Sequence, residues 1–265
     1  MVVGICQTDI IMGDTKYNLI SAEDYIHQCK MKGACLAVFP EMSMTGFGLN
    51  PEQIAESENG VTVRTMSEYA LRYQIALGFG YVRRETDGFT NRYAIVNSDG
   101  RIMCDYAKIH PFSYAGEDKQ YKKGSRVYST RIGNMDISPL ICYDLRFPEI
   151  FQAVSVKSGL IIVAANWPAQ RSSQWKLLLQ ARALENQSYV IGVNRVGAGN
   201  DIYYSGDSML VDPEGQIMDI LSGKAGIMIV DVDKDKVDGY RTDFPVKKDR
   251  QPELYARLGI TDDNP

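Results

Sequence analysis

Histidine is nearly missing from this chain, which has two in 265 residues, His27 and His110. Isolated imidazoles leave no metal-ligand spacing, so no metal and no cofactor are expected. The five cysteines, at positions 6, 29, 35, 104 and 142, form no CxxC pair and leave an odd one over. That fits reduced thiols in a cytoplasm better than a disulfide framework. No apolar run approaches the roughly 20 residues that cross a bilayer. The opening stretch "MVVGICQTDIIMGD" has neither a charged leader nor a long apolar region, and reads as a first strand rather than a signal peptide. A basic segment is absent too: Lys+Arg 29 against Asp+Glu 33 gives a net charge of −4. Neither a membrane nor a nucleic acid is therefore an expected partner. Internal repeats, low-complexity stretches and interdomain linkers are also lacking.

A hydrophobic content of 45% over this length is enough for one large domain, 1–265, with a sizeable core. Strands and helices alternate early. "VVGICQT" (2–8) reads as a strand, and residues 15–32 carry apolar side chains at helical spacing. "CLAVFPE" (35–41) reads as a buried strand, 63–73 as a helix and 74–84 as a strand. "DG" turns at 87–88 and 99–100 flank "FTNRYAIVNS", and "RIMCDYAKIH" follows, so a meander is predicted. After a polar loop at 113–125 comes a strand pair ending in "DISPLICYD", then a helix from about Pro148 and a strand at 159–166. A helix from Ser172 to about Gln187, N-capped by Ser172 or Ser173, leads to three or four closing strands. From about residue 235 the charged, proline-containing sequence reads as an extended tail. The pattern predicts layered α/β with mixed sheets rather than a doubly wound fold.

Three apolar strands end in reactive groups: "LAVFP" at Glu41, "IMCDYAK" at Lys108 and "ISPLIC" at Cys142. Each alone reads equally as a solvated strand end or, for the cysteine, as small core filling. Their shared position matters because α/β sheets bind ligands at the carboxyl ends of strands.

In that order, "FPEMSMTGF", "YAKIHPF" and "LICYDLRFPE" resemble the three signature blocks of the nitrilase superfamily, the carbon–nitrogen hydrolases. The resemblance runs from residue 3 to about 257 and includes "ANWP" (165–168) and "ARALENQSYVIGVNRVG" (181–197). It implies a four-layer αββα sandwich with two mixed β-sheets and a Glu-Lys-Cys triad that needs no histidine. Cys142 would attack an amide carbonyl to give a thioester. Glu41 would be the base, its pKa raised by a dry pocket. Lys108 and the N-terminus of the following helix would favour the thiolate. Lys108 and the Tyr143 N–H would stabilise the oxyanion. The family's second glutamate falls at Glu117, which would hold Lys108, although a solvated loop acid reads the same way. Rival readings are a Cys142–His110 hydrolase and a non-enzymatic binding protein. The other cysteines read as structural, His27 as a surface or packing residue, and Asp144 as a turn and cap residue.

"CYDLRFPE" and "ANWPAQRSSQW" resemble the omega-amidase branch, which removes the terminal amide of 2-oxo-dicarboxylate monoamides. Arg146, four residues past the nucleophile, would clamp the substrate's distal carboxylate bidentately; pairing with Asp144 or Glu149 is the structural alternative. Phe47, Phe112 and Trp167 are pocket or core residues. Deaminated-glutathione amidase, nitrilase and N-carbamoyl amidohydrolase activities remain open. The expected partners are a small amide substrate and a second copy of the chain, as a homodimer or larger homo-oligomer.

Overall fold

The computed structural model describes residues 1–258. Among them, strands β1 (Val2–Gln7), β2 (Leu36–Val38), β3 (Ala76–Glu85), β4 (Gly88–Val96) and β5 (Ile102–Ala107) belong to one sheet. Strands β6 (Thr130–Ile132), β7 (Met135–Ile141), β8 (Leu160–Ala165), β9 (Tyr189–Asn194), β10 (Val196–Gly199), β11 (Ile202–Val211) and β12 (Ile217–Ser222) form the other. The last strand, β13 (Gly226–Asp231), returns to the first sheet, whose order is β13-β1-β2-β3-β4-β5. The second sheet runs β10-β11-β9-β8-β7-β6, with β12 also paired to β11.

Both sheets are mixed in the same way. β1, β2 and β3 are parallel, as are β7, β8 and β9, and the flanking pairs are antiparallel. The closing segment holds five strands where three or four were predicted. Each parallel crossover carries helices: α1 (Thr15–Met31), α2 (Pro51–Ile54) and α3 (Val61–Tyr73) in the first half, α4 (Pro148–Val154) and α5 (Ser172–Asn186) in the second. The C-terminal region forms α6 (Lys234–Asp243) and α7 (Pro252–Arg257).

Strand alternation sorts side chains between two cores. Leu36 and Val38 of β2 join Val3, Ile5, Ile137, Ile162 and Ile191 between the sheets. Ala37 and Phe39 point the other way, into a layer closed by Leu19 and Ile26 of α1 and Val63 and Met66 of α3. Phe151 of α4 and Trp175 and Leu179 of α5 cover the second sheet. The order of layers is thus helix, sheet, sheet, helix, the αββα sandwich expected from the resemblance. Among the described residues no helix is long and apolar enough to cross a membrane.

Two local readings are corrected. Within residues 235–258 the charged stretch is largely helical rather than extended, and its last part, 259–265, lies outside the described residues. Asp233 caps α6 by accepting from the Asp235 N–H, and Val237 anchors the helix in the core. At α5 neither serine caps the helix. The N-cap is Arg171, and the Ser172 hydroxyl donates to Asp207, 2.7 Å away.

Candidate active site

The ends of β2, β5, β7 and β8 meet at one rim of the sandwich. Glu41 follows β2, Lys108 follows β5, Cys142 follows β7 and Asn166 follows β8. The chain turns sharply after two of these strands, and Met42 and Cys142 both sit at φ 44°. A non-glycine residue in that left-handed region costs about 1–3 kcal/mol and persists only where its surroundings impose it. At the Glu41 turn the constraint comes from β3. Ser43 exchanges hydrogen bonds with the Gly80 backbone, and a Cβ at Gly80 would lie 2.3 Å from the Met42 nitrogen. At the Cys142 turn Asp144 supplies it. Its carboxylate is buried and accepts from the Ile141 N–H at 2.9 Å, the Tyr106 hydroxyl at 2.7 Å and the His110 N–H at 3.1 Å, and pairs with His110 Nδ1 at 2.8 Å.

Glu41, Lys108 and Glu117 are almost fully buried, at 1%, 1% and 2% exposure. Lys108 Nζ donates to Glu41 Oε1 at 2.9 Å and to Glu117 Oε2 at 2.8 Å. Asn91 Nδ2 bridges the same two carboxylates, at 2.8 and 2.9 Å. The Asn166 N–H reaches Glu41 Oε2 at 3.0 Å, its side chain donates to the Glu41 carbonyl at 2.8 Å, and the Phe112 N–H donates to Glu117 at 2.6 Å. Glu117 is therefore part of a closed buried network, which rules out a solvated loop acid.

Burial pushes the Glu41 carboxyl up, but the Lys108 ammonium and the donors on Asn91 and Asn166 outweigh it and hold the group below the ordinary glutamate value. The raised value expected from a dry pocket is reversed because the pocket brings its own cation. Burial pulls the Lys108 ammonium down, yet Glu117 and Glu41 hold it well above the usual lysine value. Burial raises the Cys142 thiol well above its ordinary value, and Glu41 adds to this against Lys108. The resting site therefore holds a carboxylate, an ammonium and a protonated thiol. These directions favour a thiol over the expected thiolate at rest. Nor does a helix N-terminus back the sulfur directly: Cys142–Arg146 is one 3-10 segment, and α4 starts at Pro148.

Glu41, Lys108 and Cys142 line one pocket with Phe47, Phe112, Tyr143, Arg146 and Trp167. All five substrate-side candidates thus reach it. Its cavity volume is about 70 Å³. The Lys108 ammonium lies 5.8 Å from the Phe47 ring centre, and the Phe112 and Tyr143 rings are 4.9 Å apart. Arg146 pairs with neither Asp144 nor Glu149. It donates to Gln174 Oε1 at 2.6 Å and lies 5.0 Å over the Trp167 ring. Trp167 itself is 4% exposed and packs on Trp175, so it is both core and wall.

His110 is absent from the pocket wall. Its Nδ1 is taken by Asp144 and its ring stacks on Phe147 at 3.8 Å, which places it in the scaffold behind the nucleophile rather than beside the sulfur. His27 lies on exposed helix surface. Cys6, Cys29 and Cys104 are buried, and Cys35 is exposed. The sequence reading missed Asn91, Arg171 and Tyr204 as site residues and gave Asn166 no individual role. A signal for Asn91 existed: it is a buried amide inside the strand pattern "FTNRYAIV", where an apolar residue is the norm.

Comparison with known proteins accords with this geometry. The chain is 30% identical to the 2-oxoglutaramate amidase of Bacillus subtilis (strain 168), covering 96% of this chain and 98% of that one. It is 32% identical to the omega-amidase YafV of Yersinia enterocolitica, covering 92% and 94%. Among solved structures, XC1258 from Xanthomonas campestris, a CN-hydrolase superfamily protein with an arsenic adduct in its active site, superposes with a TM-score of 0.87 at 29% identity, covering 95% and 97%. The sequence model of the carbon–nitrogen hydrolases matches residues 2–242, and the chain is a member of that family.

Proposed function

We propose that this enzyme is an omega-amidase, cleaving the terminal amide of short 2-oxo-dicarboxylate monoamides such as 2-oxoglutaramate and 2-oxosuccinamate to the acid and ammonia. The observation that carries the reading is the guanidinium of Arg146, oriented by Gln174 and Trp167 in the same small pocket as Glu41, Lys108 and Cys142. Such a group fits a substrate with a carboxylate a short chain away from its amide. The names of the two relatives point the same way.

In this reading the protonated Cys142 thiol attacks the amide carbonyl while its proton passes to Glu41. The C–S bond forms as the carbonyl electrons move onto oxygen, and Lys108 and the Tyr143 N–H stabilise that oxyanion. Collapse breaks the C–N bond, and Glu41 returns the proton to the departing nitrogen, which leaves as ammonia. Glu41 then deprotonates a water that adds to the thioester. The C–S bond breaks, and Glu41 reprotonates the sulfur. Glu117 and Asn91 hold Lys108 and Glu41 in register throughout.

The test is ammonia release from 2-oxoglutaramate, 2-oxosuccinamate, deaminated glutathione, a simple nitrile and an N-carbamoyl amino acid, with Cys142→Ala as the blank. The two 2-oxo amides should give the highest kcat/KM, and intact-mass spectrometry with a slow substrate should find the acyl group on Cys142. Preference for the nitrile, the carbamoyl compound or deaminated glutathione would sink the reading. Cytoplasmic residence belongs to the same proposal. It is supported by five cysteines that are all free and is checked by assaying cell fractions for the activity.

A further inference from the structure

Arg171 lines the pocket from the connection between β8 and α5, a different segment from the nucleophile's turn. It ends the 3-10 turn Ala169–Arg171 just before α5. Its backbone is fixed there: its N–H donates to the Pro168 carbonyl at 3.0 Å, and its carbonyl accepts from Trp167 Nε1 at 2.8 Å. The side chain is half-buried, lines the pocket and lies 5.6 Å from the Phe112 ring centre. Among the described residues, no carboxylate, carbonyl or hydroxyl accepts a hydrogen bond from this guanidinium.

That sets it apart from the other charges nearby. Arg146 spends part of its donor set on Gln174. Lys108 is shared between Glu41 and Glu117, and neither carboxylate pairs with Arg146 or Arg171. Two guanidinia therefore face the cavity, and among the described residues neither has a carboxylate in direct contact. Arg171 is held by stacking and by its anchored backbone, with its donors open.

We propose that Arg171 is a second specificity-determining residue, which with Arg146 forms a two-guanidinium receptor for the 2-oxo-carboxylate end of the substrate. The inference rests on the omega-amidase reading and deepens it. A 2-oxo acid terminus presents three acceptor oxygens in one conjugated plane, two from the carboxylate and one from the ketone. One guanidinium fork satisfies two of them. A second guanidinium engages the third, the neutral ketone oxygen.

The experiment compares 2-oxoglutaramate, glutaramate (the same chain without the ketone) and pentanamide (neither ketone nor carboxylate) on wild type, Arg171→Gln, Arg171→Lys and Arg146→Gln. The readout is the ratio of kcat/KM for each acid amide to that for pentanamide, which cancels losses due to misfolding. Arg171→Gln should lower the 2-oxoglutaramate ratio by about tenfold or more, mainly through KM, as truncating one partner of a charge-assisted pair does. Arg171→Lys, which keeps charge but not the planar fork, should fall between Gln and wild type. An equal fall for glutaramate assigns Arg171 to the carboxylate, and a fall confined to 2-oxoglutaramate assigns it to the ketone. A ratio within about twofold of wild type in both Arg171 variants would overturn the proposal. If Arg146→Gln then collapses the ratio, the omega-amidase reading stands without Arg171. A wild-type ratio near one would overturn both.

Discussion

A half-buried thiol beside a carboxylate is held toward its protonated form, and a carboxylate touching an ammonium gives its proton up. Glu41 and Cys142 illustrate both, and the pH dependence of kcat/KM follows from them. The working form has Glu41 ionised, so activity is lost as pH falls through its folded-state value, which lies below that of an ordinary glutamate. Lys108 stays charged well past its usual range and Cys142 stays protonated past the usual cysteine value, so neither cuts activity at neutral pH. The profile should be flat from about pH 6 to 8, with its acid limb below the ordinary carboxylate range. A limb centred near neutrality would show that Glu41 is instead held up by burial, as a pocket without Lys108 would hold it. At this scale, what was legible in the sequence were groups that end strands inside recognisable blocks: Glu41, Lys108, Cys142 and, through the resemblance, Glu117. The proton positions were not legible, because they depend on distances between side chains more than sixty residues apart, such as the 2.9 Å from Lys108 to Glu41. Asn166 stayed hidden for the same reason, since it holds a carboxylate supplied by a distant segment. Asn91 had the local mark of an amide in an apolar strand pattern, but the mark did not name its partners.

Elements meet at the Cys142 turn through Asp144. Reading it as a turn and cap residue covers only its bond to the Ile141 N–H. The bonds to Tyr106 and His110 come from β5 and the loop after Lys108, so the same carboxylate ties the lysine-bearing segment to the cysteine-bearing one. Asp144→Asn exchanges one accepting oxygen for an amino group that must face donors already present. Stranding them should cost about 1–3 kcal/mol in urea unfolding. It should also lower kcat for an amide substrate by about tenfold or more, because the turn at φ 44° loses what imposes it. Full activity with unchanged stability would show that the turn is held by other contacts. The C-terminal segment teaches the converse. Its charge pattern suggested no helix because α6 presents only one fully buried apolar residue, Val237, and is shaped by a cap and by the surface it lies on.

For the whole molecule, alternation along the chain predicted mixed sheets in layers, and the motif resemblance supplied the count of four. What alternation could not show is which sheet each late strand joins. β13 leaves the sheet of its neighbours to pair with β1, a choice made by the packing of distant side chains. The outer helical layer bears on association. Leu177 and Leu184, one heptad apart on α5, are 68% and 50% exposed on the same side of the helix. The homodimer expected from the sequence can be tested on this face. Light scattering on a size-exclusion column should give twice 29.7 kDa for the wild type and one copy for Leu177→Asp/Leu184→Asp. A dimer that survives the double change would move the interface elsewhere.

The pairing of β1 with β13 also has a consequence in time. β1 lies inside its sheet, yet one of its two neighbours is residues 226–231. As the chain leaves the ribosome, β1 can dock on β2 early, but its other edge stays open until most of the polypeptide has been made. An unpaired edge in an unfinished chain is a template for wrong partners. The closing strand is therefore a late folding step as well as a structural one, and the interval before it emerges is when the nascent enzyme most needs shielding.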